Sequence, residues 1–172
     1  RATLEVLEGR TPPAERGAWA EKIRAWKDEY PLSDPETTDF VPSAIMERVK
    51  DASGENWPAV ADVGQNQMWT ALFYKTSRPG AFLTSGGLGT MGYALPAAMG
   101  ASLVGGKTPT VCFAGDGGFL MNCQELETCA RYGIPVKIFV LNNHALGMVR
   151  QWQELFYDER YSATPPQSPC RF

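Results

Sequence analysis

The stretch VCFAGDGGFLMNCQELETCARYGIPVKIFVLNN, residues 111–143, decides the fold. An apolar run, Thr110 to Ala114, stops at Gly115-Asp116-Gly117-Gly118. An amphipathic stretch follows from Phe119 to Tyr132 and ends at Gly133, with Pro135 just beyond. A second apolar run, Val136 to Leu141, stops at Asn142-Asn143. This order predicts a strand, a tight turn, a helix and a strand. Two strands joined through a helix need a crossover, so they should lie parallel and adjacent. Both then end at the carboxyl edge of the sheet, where open α/β sheets bind ligands. Asp116 offers a carboxylate there and Asn143 an amide oxygen, and the glycines between them let a phosphate approach the backbone. The combination fits a hard cation together with a diphosphate.

Outward from this unit the same alternation continues. Ala59 to Val63 reads as a strand ending at Gly64, Gln65 to Tyr74 as a helix, and Ala81 to Ser85 as a strand closed by Gly86-Gly87-Leu88-Gly89. Thr90 to Val104 reads as a helix whose small residues suit close packing on a sheet, and Leu146 to Tyr157 as a last helix. The pattern predicts an α/β fold, a parallel sheet with helices on both faces. Earlier in the chain, Arg1 to Gly9 reads as a short helix and Thr11 to Glu15 as a Pro-containing break. Ala18 to Tyr30 is an amphipathic helix marked by Trp19, Ile23 and Trp26. Pro31 to Phe40 is a linker, and Val41 to Ala52 a helix opened by Pro42 and closed by Ser53-Gly54.

Composition narrows the function. The chain has 172 residues and a net charge of −3 with no basic block, so nucleic acid is not an expected partner. No apolar run approaches membrane-spanning length, so no membrane is expected. Cys112, Cys123, Cys129 and Cys170 fit no zinc spacing; they read as reduced thiols in a cytosol-like compartment, the first three within core elements. With His144 the single histidine, a His-rich metal site is excluded. The chain starts at Arg1 and ends on a Pro-rich tail, Thr164 to Phe172, and is expected to be a piece of something longer.

Four strand ends carry the polar and glycine residues: Asp62-Val63-Gly64-Gln65-Asn66-Gln67, Ser85 to Gly92, Gly115 to Gly118, and Asn142 to Gly147. Each opens a helix, and helix N-termini attract anions. The second contains a literal G-x-G-x-x-G at Gly87, Gly89 and Gly92, after a strand and before a helix, with Asp116 at about the spacing of a ribose-binding acid. A dinucleotide site is therefore one reading, although it ignores Asn142-Asn143 and leaves Met91 unexplained. Taken singly, Gly115 and Gly117 are also what a strand-to-helix turn requires, and an Asn pair is what a helix cap requires. Met148 and Trp152, four apart, have ordinary core spacing. The pairing of Asp and Asn at adjacent strand ends favours a Mg²⁺–diphosphate site.

Gly115-Asp116-Gly117 followed by Asn142-Asn143 is similar to the thiamine diphosphate motif. Within that superfamily, three further stretches resemble the large catalytic subunit of acetohydroxyacid synthase (acetolactate synthase): DVGQNQMW (62–69), SGGLGTMGYALPAA (85–98) and NNHALGMVRQWQELFYDERYSAT (142–164). The resemblance is close over Val41 to Thr164 and loose before that. It implies residues 1–40 as the end of a central domain and its linker, and 41–172 as a thiamine diphosphate-binding domain truncated at its C-terminus. It implies that Asp116, Asn143 and the Ala145 carbonyl bind Mg²⁺. Gly64, Gln65, Asn66, Gly115, Gly117, Gly118 and Gly147 would meet the diphosphate. Met91 would force the bent cofactor conformation, and the Gly89 carbonyl would hold the pyrimidine amino group; both activate the cofactor. Met148 and Trp152 would line the acceptor pocket, a Trp there resembling the enzymes that accept 2-ketobutyrate.

The implied reaction is decarboxylating carboligation of pyruvate with a second 2-keto acid, giving 2-acetolactate or 2-aceto-2-hydroxybutyrate for branched-chain amino acid synthesis. The implied whole protein binds FAD, forms a homodimer or homotetramer, pairs with a small regulatory subunit, and sits in a bacterial cytoplasm. The activating glutamate and the FAD domain would lie outside these residues, so the chain alone should be inactive. Another thiamine-dependent 2-keto acid decarboxylase is the nearest alternative; Met91 and GMVRQWQ speak against it. Family members often carry His at the position of Asn66, where Asn is still able to donate a hydrogen bond to phosphate. The tail from Pro165 departs from the family pattern.

Overall fold

The computed structural model describes residues 17–32, 41–54, 56–76 and 78–164. The helix expected at Arg1 to Gly9, the break at Thr11 to Glu15, most of the Pro31–Phe40 linker, the tail from Pro165 and Cys170 lie outside the described residues. The chain divides into a unit of Arg1–Pro35 and a unit of Glu36–Phe172. In the first, helix α1 (Gly17–Glu29) buries none of its residues. Trp19 and Trp26 meet edge to face at 5.8 Å, and the Lys22 ammonium lies 4.9 Å from the Trp26 ring centre.

The second unit runs α2 (Pro42–Ala52), β1 (Ala59–Ala61), α3 (Gln65–Phe73), β2 (Phe82–Thr84), α4 (Ala94–Val104), β3 (Thr110–Gly115), α5 (Asp116–Asn122), α6 (Glu125–Tyr132), β4 (Val136–Leu141) and α7 (Gly147–Phe156). The sheet is wholly parallel, in the order β2-β1-β3-β4. The expected α/β architecture is therefore present, and β3 and β4 are neighbours, with Gly115 level with Leu141. The order changes direction between β1 and β3. At such a switch point the two following helices leave on opposite faces and open a crevice beyond the strand ends.

Side-chain alternation fills both faces. Val60 and Cys112 point into one core with Ala94, Leu95 and Ala98 of α4 and Ile134. Ala59, Val111 and Phe113 point into the other, with Met46 and Val49 of α2 and Tyr74 after α3. Phe113 is fully buried there, 5.4 Å from the Tyr74 ring and 5.6 Å from Phe139. Such aromatic pairs add about 0.5–1.5 kcal/mol each beyond the area they bury.

Four expected elements differ. The helix expected over 119–132 is two, α5 and α6, because Cys123 and Gln124 fall between them while keeping helix-like dihedrals. The helix expected from Thr90 starts at Ala94, since Gly92 at φ +83° takes a conformation a helix excludes. The strands expected over 59–63 and 81–85 pair over three residues each. At the other end of the unit, Gly133 (φ +59°) closes α6 with its own N–H donating to Ala130 O and the Ile134 N–H to Cys129 O, a left-handed cap suited to glycine.

The cysteines differ in setting. Cys112 is buried in β3, whereas Cys123 and Cys129 are half-buried. Burial foremost, then the nearby Asp62 and Cys129, push the Cys112 thiol from 9.0 up to about 12. A raised folded-state value favours the folded protein below the unfolded thiol's value, and that contribution is lost as pH rises from about 9 toward 12. In native protein at pH 8, iodoacetamide should therefore label Cys123 while Cys112 reacts only as the domain unfolds. Peptide mass mapping with and without denaturant checks this; equal labelling of both thiols in the native state would contradict it.

Candidate functional site

The four strand ends meet at the carboxyl edge and enclose a cleft of about 190 Å³. Its walls include Gly64, Gln65 and Asn66 after β1, Gly89 and Met91 after β2, Gly115 to Gly118 after β3, and Asn143, Ala145, Gly147 and Met148 after β4. Of the residues expected at the site, Trp152 is the exception. It is 60% exposed and lines an adjoining hollow of about 470 Å³ that shares Met148 and Val149 with the cleft.

Asp116 is the first residue of α5 and is 2% exposed, and its Oδ2 has no hydrogen-bond partner among the described residues. A buried unpaired carboxylate oxygen costs several kcal/mol unless a cation or donor meets it, and this one faces the cleft. No cluster of three or more His, Cys, Asp or Glu side chains suited to a metal occurs among the described residues. A cation beside Asp116 would have to draw on amide and carbonyl oxygens, a donor set suited to hard ions. Asn143 supplies one: its Oδ1 accepts from the Ala145 N–H at 3.1 Å, and its Nδ2 donates to Gln65 Oε1 at 3.0 Å. Gln65 Nε2 in turn donates to Gln151 Oε1 of α7 at 3.3 Å. The Asn142–His144 turn is local, with the His144 N–H donating to Asn142 Oδ1 at 3.0 Å, and His144 is exposed.

Beside Asp116 the floor is bare backbone. A Cβ on Gly117 would stand 3.0 Å from Leu146 Cδ2 and 3.3 Å from Met91 Cε, and one on Gly147 would collide with Gln65 Oε1 and Asn143 Nδ2. Neighbouring side chains therefore pack so closely on Gly117 and Gly147 that neither position has room for a side chain of its own. Glycine backbone in the cleft wall next to an unpartnered carboxylate oxygen is compatible with a diphosphate and a divalent ion.

Sequence reasoning missed Asp62. It is 1% exposed at the end of β1, and its carboxylate accepts from the backbone N–H groups of Val63 (2.7 Å), Gly92 (3.0 Å) and Ala94 (3.0 Å). Ala94 opens α4. The amides that a G-x-G-x-x-G turn would offer to a pyrophosphate are therefore occupied by a protein carboxylate, which removes the physical basis of the dinucleotide reading. The available signal was an acid at a strand end before a glycine, the same signal that marked Asp116. Asn66 is a correction of another kind. It lines the cleft, but its Nδ2 donates to the carbonyls of Asp62 (2.9 Å) and Phe113 (3.4 Å), so the donor expected for phosphate is already used. The chain beyond α7 also returns to the site, where the Leu146 N–H donates to Thr164 O at 2.9 Å and Thr164 is buried.

A parallel α/β sheet with glycine-lined strand ends and an unpartnered buried carboxylate oxygen at its switch point is the architecture of a ligand-binding α/β domain. The chain belongs to the thiamine pyrophosphate enzyme family, C-terminal TPP binding domain, whose model matches residues 62–172. It is 47% identical over 162 residues to the acetolactate synthase large subunit of Parasynechococcus marenigrum, covering 94% of this chain and 26% of that protein. It is 47% identical over 146 residues to that of Cyanidium caldarium (84% of this chain, 25% of that protein). A mitochondrial acetolactate synthase catalytic subunit of Aspergillus candidus is 42% identical over 176 residues, covering 98% of this chain and 25% of its own length. The chain thus spans about a quarter of the length of the curated relatives it matches. None of its described helices is long and apolar enough to cross a membrane.

Proposed function

We propose that this chain is the cofactor-anchoring domain of an acetolactate-forming carboligase that joins pyruvate to a second 2-keto acid. The observation that carries the reading is the buried, unpartnered Asp116 Oδ2 in a cleft walled by Gly117, Gly118 and Gly147. In this reading Asp116, Asn143 and the Ala145 carbonyl hold Mg²⁺, and Gly64, Gln65, Gly115, Gly117, Gly118 and Gly147 receive the diphosphate. Asn66 supports the cleft wall through the carbonyls it braces. Met91 presses on the bound cofactor from the β2 side and the Gly89 carbonyl orients its amino group. When bound, thiamine diphosphate supplies the carbon nucleophile and electron sink for decarboxylation. Met148 opens toward both hollows, and Trp152 bounds the outer one, which suits it to select the side chain of the acceptor acid.

Residues 1–40 would close a central domain that, in the whole protein, accompanies FAD, and 41–172 would form the cofactor domain. The whole protein would assemble as a homodimer or homotetramer, with a small regulatory subunit, and serve valine and isoleucine synthesis in a bacterial cytoplasm. Calorimetric titration of the intact protein tests the core of this. Thiamine diphosphate should bind with Mg²⁺ at micromolar or tighter Kd, about −8 kcal/mol. Binding should weaken sharply with a chelator, and NAD should give no heat. Tight NAD binding, or metal-independent cofactor binding, would refute it. Product analysis with pyruvate should find acetolactate; free acetaldehyde as the main product would mark a decarboxylase instead.

A further inference from the structure

Gly92 is held from both sides. Its N–H donates to Asp62 Oδ1 at 3.0 Å, and its carbonyl accepts from Asn122 Nδ2, at the end of α5, at 2.7 Å. Its φ of +83° and the Asn122 amide 2.8 Å from any added Cβ leave the turn one seating. Asp62 is itself anchored: it also accepts from Val63 and Ala94 and packs against Gly118. The clamp therefore ties the loop after β2 to the ends of β1 and α5. Met91, the residue before Gly92, reaches toward Gly117 across the cleft. Neither Asp62 nor Asn122 lines that cleft.

We propose that Asp62 and Asn122 are positioning residues. Together they fix Met91 relative to the first residues of α5, Asp116 to Gly118, and so act on the shape of the bound cofactor, with little effect on its affinity. This rests on the thiamine diphosphate reading of the site. The physical reason for the split is that the affinity comes from cation and diphosphate contacts at Asp116 and the cleft glycines. A loop that shifts by a fraction of an ångström leaves those contacts in place and alters only what Met91 presses on.

The test uses the intact protein and two readouts, the Kd for thiamine diphosphate with Mg²⁺ and the rate of hydrogen–deuterium exchange at the thiazolium carbon of the bound cofactor. Asn122→Ala removes a half-buried amide at a helix end and leaves the core intact, so it carries the test if Asp62→Asn fails to fold. Each variant should slow exchange about tenfold or more while Kd stays within about threefold. In a Met91→Ala background, adding either substitution should slow exchange by less than about twofold, since residues acting through one another are not additive. Unchanged exchange in folded variants, losses that add fully to that of Met91→Ala, or a Kd that rises in step with the slowing would each overturn the proposal. Failure of the unsubstituted protein to bind thiamine diphosphate would overturn the site reading itself, and is seen before any substitution is made.

Discussion

Asp116→Asn should abolish Mg²⁺-dependent binding of thiamine diphosphate while leaving the fold intact. Asp116 is the one carboxylate in the walls of the cleft, and its Oδ2 is buried without a partner. Replacing it with a neutral amide removes the anionic ligand and aims a donor group at the cation. The expected loss is about a hundredfold or more in Kd, on the order of 3 kcal/mol. The protein without cofactor should melt no lower, because the Asp116 Oδ2 that the substitution alters has no hydrogen-bond partner to lose. The stabilisation that cofactor and Mg²⁺ confer should disappear together with the binding. Titration and thermal melts with and without ligand measure both. An unchanged Kd would refute the metal assignment, and a large drop in the melting temperature of the unliganded protein would recast Asp116 as a structural residue.

Gly118→Ala is the second large effect, and it comes through stability. The added Cβ would lie 2.6 Å from Asp62 Oδ1 and 2.9 Å from its Cγ. Asp62 cannot swing away without releasing the N–H groups of Val63, Gly92 and Ala94. Each stranded buried donor costs about 1–3 kcal/mol, so the domain should lose roughly 3 kcal/mol or more. Gly147→Ala makes the useful comparison. Its closest neighbours are the ends of the Gln65 and Asn143 side chains, which are able to turn aside. Its cost in stability should be under about 1.5 kcal/mol, with cofactor binding the main casualty. Denaturant unfolding of the two variants side by side decides the matter; equal stability losses would show that the Asp62 clamp is softer than its hydrogen bonds imply.

Much of the architecture was legible because it depends on local pattern. The apolar runs at 110–114 and 136–141 are continuous, as strands buried on both faces must be, and they pair in parallel as neighbours. The break between α5 and α6 was not legible, since residues on both sides keep one helical periodicity and Cys123-Gln124 carries no glycine or proline to announce it. The G-x-G-x-x-G match was legible but misleading. Its pattern records a turn that glycine permits, and says nothing of the carboxylate 30 residues upstream that fills the turn's amides. Asn66 does line the cleft, but the sequence could not show that its amide donates to the carbonyls of Asp62, four residues before it, and Phe113, 47 residues on.

By itself the sequence determined two neighbouring parallel strands joined through helix, the placement of Asp116 and Asn143 at their ends, and the glycines in between, although the expected tight turn at Gly115 to Gly118 is already the start of α5. These follow from side-chain periodicity and from the few residues that permit such turns, both of which are local. Only the tertiary structure decided which polar groups remain free. It spent the Asn66 amide on two carbonyls, closed the α4 amides with Asp62, set Trp152 outside the cleft and left Asp116 Oδ2 without a partner. The reason is that a buried hydrogen bond is settled by which strands lie side by side. The order β2-β1-β3-β4 sets β1 beside β3 and so brings their ends together.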